Sequence, residues 1–592
     1  MAPQTKAFET IEHEADFCVV GGGIAGLTAA IAGARHGATV VLMHDRPVLG
    51  GNASSECRVH ICGADREGGL KHVRETGIIE EIRLENACRN PSKSLAVWDA
   101  ILYEKALAEK NLTPLLNCSC LDAAMEGSRI ASVTGWQLTT QTYHTVRAKL
   151  FADCSGDAIL APLTGAEFRV GREGREEFGE SYAPEQGDRK TMGMTCWFMA
   201  RECETPQPFE PPAWARTFDR CKELPGGGDY CRARALRMGY WWIELGGEDD
   251  SIHDTERLRD ELLPIAYGVW DHLKNRCPHN REAAANWALE WVNFLPGKRE
   301  SRRYIGDYTL TQNDLRDGGE FDDVVAYGGW TMDDHHPAGF RAVGLGKKPT
   351  IFHPCPSPYG IPYRCLYSRN VGNLFVGGRC ISATHMALSS TRVQATCSLM
   401  AQATGTAAAI AVREGVAPRG VGGYIGELQQ MLLRDDCYLP GVPLAVSELT
   451  RGARLTASQG DGEPVRDGVN RQVGDDPNCW AHAPGDWIAY EFDAPRPVAT
   501  VTLTLDSDLA SDPQMHFTGG RKRPPLLPPK PLPRAFRLEA LADGKWTPLF
   551  ETEANTQRFV RVPVGRTLQG VRYALLATHG ADETRLYGFW LD

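Results

Sequence analysis

Residues 14–43, EADFCVVGGGIAGLTAAIAGARHGATVVLM, set Gly21, Gly23 and Gly26 in GxGxxG spacing between an apolar run ending at Val20 and an alanine-rich stretch. Gly37 closes that stretch, and the apolar run Val40–Met43 follows it. The pattern predicts a strand, a glycine turn, a helix and a second strand. Gly21 permits the tight turn, Gly23 lets phosphates approach the backbone, and Gly26 lets the helix pack on the sheet. The helix N-terminus then faces an anion, so the segment is read as a dinucleotide pyrophosphate site.

A chain of 592 residues with 42% hydrophobic and 23% charged residues can build a sizeable core and several domains. Its net charge of -11 comes with no basic stripe, which argues against nucleic acid as a partner. The start, MAPQTKAFETIEHEADF, lacks a basic segment leading into an apolar core, and no uninterrupted apolar stretch of membrane-spanning length follows. No membrane association is expected, and a cytoplasmic location is. The 18 cysteines include no CxxC pair, so neither a zinc ribbon nor a thioredoxin-like redox pair is expected, and no metal.

The texture changes at about residue 441. Beyond it, WIAYEF (487–492), VATVTLTL (498–505), AFRLEAL (535–541) and VRYALL (571–576) alternate apolar and polar residues, which predicts half-buried strands of a sandwich. Asp543-Gly544 has the composition of a hairpin turn. The segment 454–492, with Asp467-Gly468 and a following tryptophan, resembles galactose-binding-like, discoidin-type jelly rolls. Such modules hold sugars or brace an enzyme, and both roles stay open. RKRPPLLPPKPLPR (521–534) is read as a stiff loop between strands rather than a polyproline ligand.

Three more segments separate FAD from NAD. DRPVLGGNASSECR (45–58) places a second glycine pair directly after the second strand, LFADCSGDAILAPLTGAEF (150–168) is a strand entering a small-residue turn, and residues 373–411 form a strand, a loop and a long small-residue helix. Together they resemble the FAD-dependent oxidoreductases that share a fold with glutathione reductase and fumarate reductase. The resemblance implies an α/β, Rossmann-like FAD domain (1–166 and 366–435), an inserted substrate region (167–365) and the all-β sandwich (441–592). It implies cofactor contacts from Gly21, Gly23, Gly26, Asp45, Arg46, Gly50, Gly51, Asn52, Asp153, Gly156, Asp157, Gly378, Arg379, Arg392 and Val393. The helix N-terminus near Arg392-Val393 is expected to face the flavin pyrimidine, where negative charge develops on reduction.

One position departs from the family pattern. The acid expected after the second strand falls on His44, with Asp45 one residue later. Either Asp45 holds the ribose from a shifted loop or His44 offers a weaker hydrogen bond. With no second GxGxxG after a strand, a separate NAD(P)H domain is not expected, and the electron acceptor is open.

The expected reaction is oxidation of a secondary alcohol in a carbohydrate or related small molecule, with hydride passing to flavin N5 and a neutral histidine taking the hydroxyl proton. Of 16 histidines, His385, in the loop after Arg379, is the first candidate, followed by His335 and His60. Arg303 or Arg299, in PGKRESRR, could bind a carboxylate or hydroxyls. Trp241, Trp242, Trp330 and Tyr327 could form a stacking wall, although core packing is commoner. The neighbouring residues Asp333 to His336 diverge too much to favour a metal. The alternatives are a fumarate-reductase-like reductase of an activated alkene and a flavin- or carbohydrate-binding protein without turnover. A homo-oligomer is compatible with all three.

Overall fold

The computed structural model describes residues 8–64, 71–233, 236, 239–356, 358–511, 515 and 524–592. The predicted glycine-turn unit forms: strand β1 (Thr10–Val20), helix α1 (Ile24–Arg35) and strand β2 (Val40–Met43), with β1 and β2 parallel. Helices α2 (Ile78–Arg89) and α3 (Leu95–Leu107) lead to β3 (Leu112–Leu115), followed by β4 (Cys118–Glu126), β5 (Arg129–Gln137) and β6 (Thr142–Asp153). The sheet order is β3-β2-β1-β6-β5-β4. β6 pairs in parallel with β1 along its length and hands its last residues to the strand Leu374–Val376, which brings the 373–411 segment beside the first glycine turn.

One face of this sheet is closed by α1 crossing the helix Gln394–Glu414. The small residues that predict a long helix also let it approach α1. A Cβ on Gly405 would stand 2.1 Å from the Ala29 carbonyl oxygen, so only glycine fits this crossing. The helix is long and apolar enough to cross a membrane by length and composition, but 94% of its most apolar window is buried inside this fold.

The inserted region is built of short antiparallel pairs, among them Phe198–Glu202 with Trp287–Val292 and Met332–His335 with Thr350–His353. The helix Thr255–Asp271 carries a second core around Trp270, Leu262 and Phe198.

The C-terminal strands form an antiparallel sandwich in the order 480–482, 584–591, 487–505, 559–578, 533–542, 545–552, with 454–457 also on 487–505. The segments 487–492 and 498–505, expected as two strands, are one strand, Trp487–Leu505, that bends where its register shifts between Glu491 and Arg496. Asp543 (φ +49°) and Gly544 (φ +70°) form the expected hairpin turn. The proline-rich stretch connects two strands, though its residues 521–523 lie outside the described ones.

The sandwich is docked through buried guanidiniums. Arg471 donates to the Tyr327 hydroxyl (2.8 Å), Thr76 Oγ1 (2.8 Å) and the Arg74 carbonyl (3.1 Å), and its plane lies 4.4 Å from the Tyr438 ring centroid. Arg558 pairs with Asp436 at 3.0 Å. Tyr327, read from the sequence as a possible stacking wall, is instead a core residue at this joint, and its hydroxyl also donates to the backbone at Val73 and Arg74.

Candidate active site

At the first turn, Gly21 has φ +101°, and a Cβ there would meet the Ser155 backbone at 2.5 Å. A Cβ on Gly26 would stand 1.7 Å from the Gly21 carbonyl oxygen. Gly23 differs, because its added Cβ would find only Gly51 Cα, at 4.0 Å. The open side of Gly23 therefore forms a shallow cradle at the start of α1, an end that no side chain caps. Gly50 donates its N–H to the Gly22 carbonyl at 2.9 Å, so the second glycine pair is clamped onto the first turn.

His44 is a strut in this clamp. Its Nδ1 accepts from the Gly22 N–H (2.9 Å) and its Nε2 faces the Val48 carbonyl (3.0 Å), so the ring is a neutral tautomer. Burial keeps its pKa down against the opposing pull of Asp45. With both nitrogens engaged, His44 cannot act as the expected ribose-binding acid, whereas Asp45, half exposed and 3.3 Å from Arg46 Nε, remains able to.

Asp153, expected to touch the cofactor, does not have an oxygen to offer. One carboxylate oxygen accepts from the Ser155 N–H (2.9 Å) and hydroxyl (2.7 Å), the other from the Leu160 N–H (2.8 Å) and the Tyr304 hydroxyl (2.7 Å). It braces the turn from behind. The following residues join three distant segments. Asp157 accepts from Lys298 Nζ (2.7 Å), Ser301 Oγ (2.8 Å) and Arg379 (3.1 Å), Arg379 Nε donates to the Gly156 carbonyl (2.8 Å), and Asn52 Nδ2 donates to the Lys298 carbonyl (3.1 Å). Gly156, at φ +81°, has no room for a Cβ beside the Arg379 guanidinium, and Gly378 is also left-handed at φ +77°. Lys298 and Ser301 were not singled out from the sequence. Only the fold brings a polar residue of a mixed-charge run under the 150–168 turn.

At the entry to the long helix, Val393 is extended and offers no side-chain cap, and one first-turn amide, Ala395 N–H, is already bonded to the Cys62 carbonyl (2.9 Å). Arg392, expected on the cofactor, donates instead to the Asp333 carboxylate at 3.1 Å. Four buried polar atoms around this junction, Arg392 Nε, Gln394 Oε1, Thr391 Oγ1 and Trp330 Nε1, have no partner among the described residues. A flat ring system edged with donors and acceptors fits such a set, and the Gly23 cradle fits a pyrophosphate.

Three of the four expected catalytic residues lie in one buried charge network. His385 Nδ1 is 2.8 Å from Glu300 Oε2 and its Nε2 is 3.2 Å from Asp334 Oδ1. His335 Nδ1 is 2.6 Å from Glu244 Oε2 and its Nε2 is 3.2 Å from Asp333 Oδ2. Arg303 pairs with Glu173 at 3.1 Å and donates to the Ala383 (3.0 Å) and Gly171 carbonyls. Three guanidiniums, of Arg299, Arg303 and Arg392, face five carboxylates here, and two imidazolium rings balance the rest.

Burial alone would neutralise the His385 ring. The Glu300 charge and the hydrogen bonds to Asp334 and Glu300 outweigh it and raise the pKa to about 10. For His335, burial and the Arg299 charge act downward, Asp333 and Glu244 act upward, and the net shift is upward. His385, expected as a neutral base, is thus drawn toward its protonated form by the two carboxylates, and His335, expected to face substrate, is buried with both nitrogens engaged. Arg303 is fully buried and positions the network rather than binding substrate.

His353, which has no motif to reveal it in IFHPCP, stands at the open edge of this network. It is half-buried on the strand paired with Met332–His335 and stacks on Tyr182 with ring centroids 3.9 Å apart. Burial lowers its pKa, and Asp334 is the charge that opposes the shift.

His60 is edge-on to Trp241 with centroids 5.4 Å apart. Trp241 stacks on Trp197 at 4.6 Å, and Trp197 meets Trp291 edge-on at 5.6 Å. These rings wall the cap beside the 45–58 loop, to which Trp197 Nε1 donates at the Cys57 carbonyl (2.9 Å). Burial pushes the Cys57 thiol up to about 12, so it is protonated at neutral pH and inert as a nucleophile.

No curated protein matches the chain in sequence. Among solved structures, it is similar to the family 32 carbohydrate-binding module from Streptococcus pneumoniae EndoD (16% identity over 25% of this chain and 99% of that one, TM-score 0.20). It is also similar to the family 32 module of C. perfringens NanJ in complex with galactose (11% identity, 24% and 90%, TM-score 0.17). A third likeness is to L-proline dehydrogenase from P. horikoshii (18% identity, 26% and 25%, TM-score 0.16). The family model described as FAD dependent oxidoreductase matches residues 16–432, and the chain belongs to that family, whose cofactor is FAD.

Proposed function

We propose that this flavoprotein oxidises a secondary alcohol of a carbohydrate or other polyhydroxylated small molecule. The observation that carries the reading is the contrast between two histidines that both feel the Asp334 charge. His385 is a buried cation that holds the Asp334 carboxylate from behind, while His353 is a half-exposed imidazole kept neutral by burial. Alcohol oxidation needs a base that is unprotonated at neutral pH and a negative charge to steady it once protonated. His353 accepts the hydroxyl proton, Asp334 stabilises the imidazolium so formed, and His385 and Glu300 keep Asp334 in place. When bound, FAD supplies the two-electron acceptor for the carbinol C–H. Trp241, half-buried and backed by the buried Trp197 ring, offers an apolar face of the kind on which a sugar ring stacks.

Reduction of an activated alkene is disfavoured by the arginines. Such a reaction needs a guanidinium free to clamp a substrate carboxylate, yet Arg299, Arg303 and Arg392 lie 3.3, 3.1 and 3.1 Å from Glu244, Glu173 and Asp333. The test is His353→Gln in the holoprotein, with a panel of aldoses, alditols and sugar acids. The expected result is unchanged FAD content and anaerobic flavin reduction slowed by about 10²–10⁴-fold. Unimpaired reduction would remove His353 from the chemistry.

A further inference from the structure

In the inserted region, four side chains converge: Cys221, Cys231, His272 and Cys277, with all four ligand atoms within 4.8 Å of one another. We propose that they form a structural zinc site of the Cys₃His type. Cys221 opens a short turn (Cys221–Glu223), Cys231 lies on the helix Gly227–Ala233, and His272 and Cys277 flank the last turn after the helix Thr255–Asp271. That last turn is wound as a π-turn, closed by the Cys277 N–H on the His272 carbonyl at 2.6 Å. The wider turn brings two residues five apart to the same side, where an α-helix would separate them.

Two of the six ligand–ligand spacings match the edges of a tetrahedron, and all six lie within 4.8 Å. With Zn–S of about 2.3 Å and Zn–N of about 2.0–2.1 Å, tetrahedral edges are about 3.8 Å for S···S and about 3.6 Å for S···N. Cys221 Sγ lies 3.7 Å from Cys277 Sγ and 3.4 Å from His272 Nε2. A disulfide would require about 2.05 Å, so these sulfurs are disposed as ligands and not as a cystine.

The surroundings prepare the donors. His272 Nδ1 faces the Phe218 carbonyl at 2.8 Å and must donate to it, which leaves the Nε2 lone pair directed at the sulfurs. Asn280 Nδ2 donates to Cys277 Sγ (3.5 Å) and to the Cys231 carbonyl (2.5 Å), an arrangement that stabilises a thiolate and ties two ligand segments together. Cys231, Cys277, Phe218, Leu224 and Leu273 belong to the apolar core of the cap. Three thiolates with one imidazole select zinc over hard cations, and four protein donors leave no open coordination position, so the ion is structural rather than catalytic. The site staples the short turn Cys221–Glu223 and the helix Gly227–Ala233 to the helix that ends at Asp271. The sequence conceals it because no two of the cysteines stand in CxxC spacing.

The experiment is elemental analysis of the purified full-length holoprotein after exhaustive dialysis, followed by chelation and cobalt(II) titration. The expected result is one zinc per chain, reduced several-fold in Cys231→Ser and Cys277→Ser and unchanged in the distant control Cys479→Ser. The chelated wild-type protein should take up one cobalt with thiolate charge-transfer absorption and the ligand-field bands of a tetrahedral ion. This readout does not depend on a variant that folds, nor on turnover. Sub-stoichiometric zinc with no cobalt spectrum, full zinc retention in both serine variants, or a mapped Cys221–Cys277 disulfide would each overturn the proposal.

Discussion

The Nε2 atom of His385 lies 3.2 Å from Asp334 Oδ1 while Glu300 Oε2 lies 2.8 Å from Nδ1, so this imidazole is a cation held between two carboxylates. Removing it leaves the buried network one positive charge short, although Glu300 keeps Arg303 at 3.4 Å. His385→Ala should cost about 3–5 kcal/mol of stability, measurable by chemical denaturation of the holoprotein.

The same residue sets a pH dependence. Its pKa is raised from 6.5 to about 10 on folding, so its stabilisation is complete below pH 6.5 and is lost as pH rises through about 10. The midpoint of thermal unfolding should fall across that window in the wild type, and the fall should be shallower in His385→Gln. An equal slope in both proteins would show that His385 is not the titrating group.

Activity should follow a bell. His353 must be neutral, and burial places its pKa below 6.5, so the acid limb of kcat/KM should lie below that value. The alkaline limb should appear near 10, where His385 loses its proton and its hold on Asp334 weakens. Steady-state profiles for wild type and His353→Gln would show whether the acid limb belongs to His353.

Gly23 and Gly26 should respond differently to alanine. At Gly26 the new Cβ would strike the Gly21 carbonyl oxygen at 1.7 Å, so Gly26→Ala should disrupt the turn and destabilise the fold. At Gly23 it would meet only Gly51 Cα at 4.0 Å. Gly23→Ala should therefore fold normally, by circular dichroism, yet bind FAD at least about tenfold more weakly, because the methyl group fills the face that phosphates approach.

Arg471→Ala should loosen the sandwich. It removes four hydrogen bonds from a buried charged donor and leaves the Tyr327 hydroxyl short of a partner, a loss of about 3 kcal/mol. Limited proteolysis should then cut near residues 436–454, which stay protected in the wild type.

The parts legible in the sequence are those carried by local chemistry. The glycine turn, the parallel sheet it starts, the small-residue helix and the Asp543-Gly544 hairpin each follow from residues close together in the chain. The site was less legible because its meaning lies in pairings across long separations. His385 can be picked out from its loop, but its protonation depends on Glu300 and Asp334, 85 and 51 positions away. Asp153 has the right position for a cofactor contact, but Tyr304, 151 residues on, occupies it from behind. A lone histidine such as His353 leaves no spacing to read, and its neutral state follows only from its burial.

The most direct test of the account is anaerobic absorbance titration of the purified holoprotein. Addition of aldoses, alditols and sugar acids should bleach the oxidised flavin band with at least one of them, and enoates should not reoxidise dithionite-reduced protein. Reoxidation by an enoate, with no bleaching by any alcohol, would contradict it.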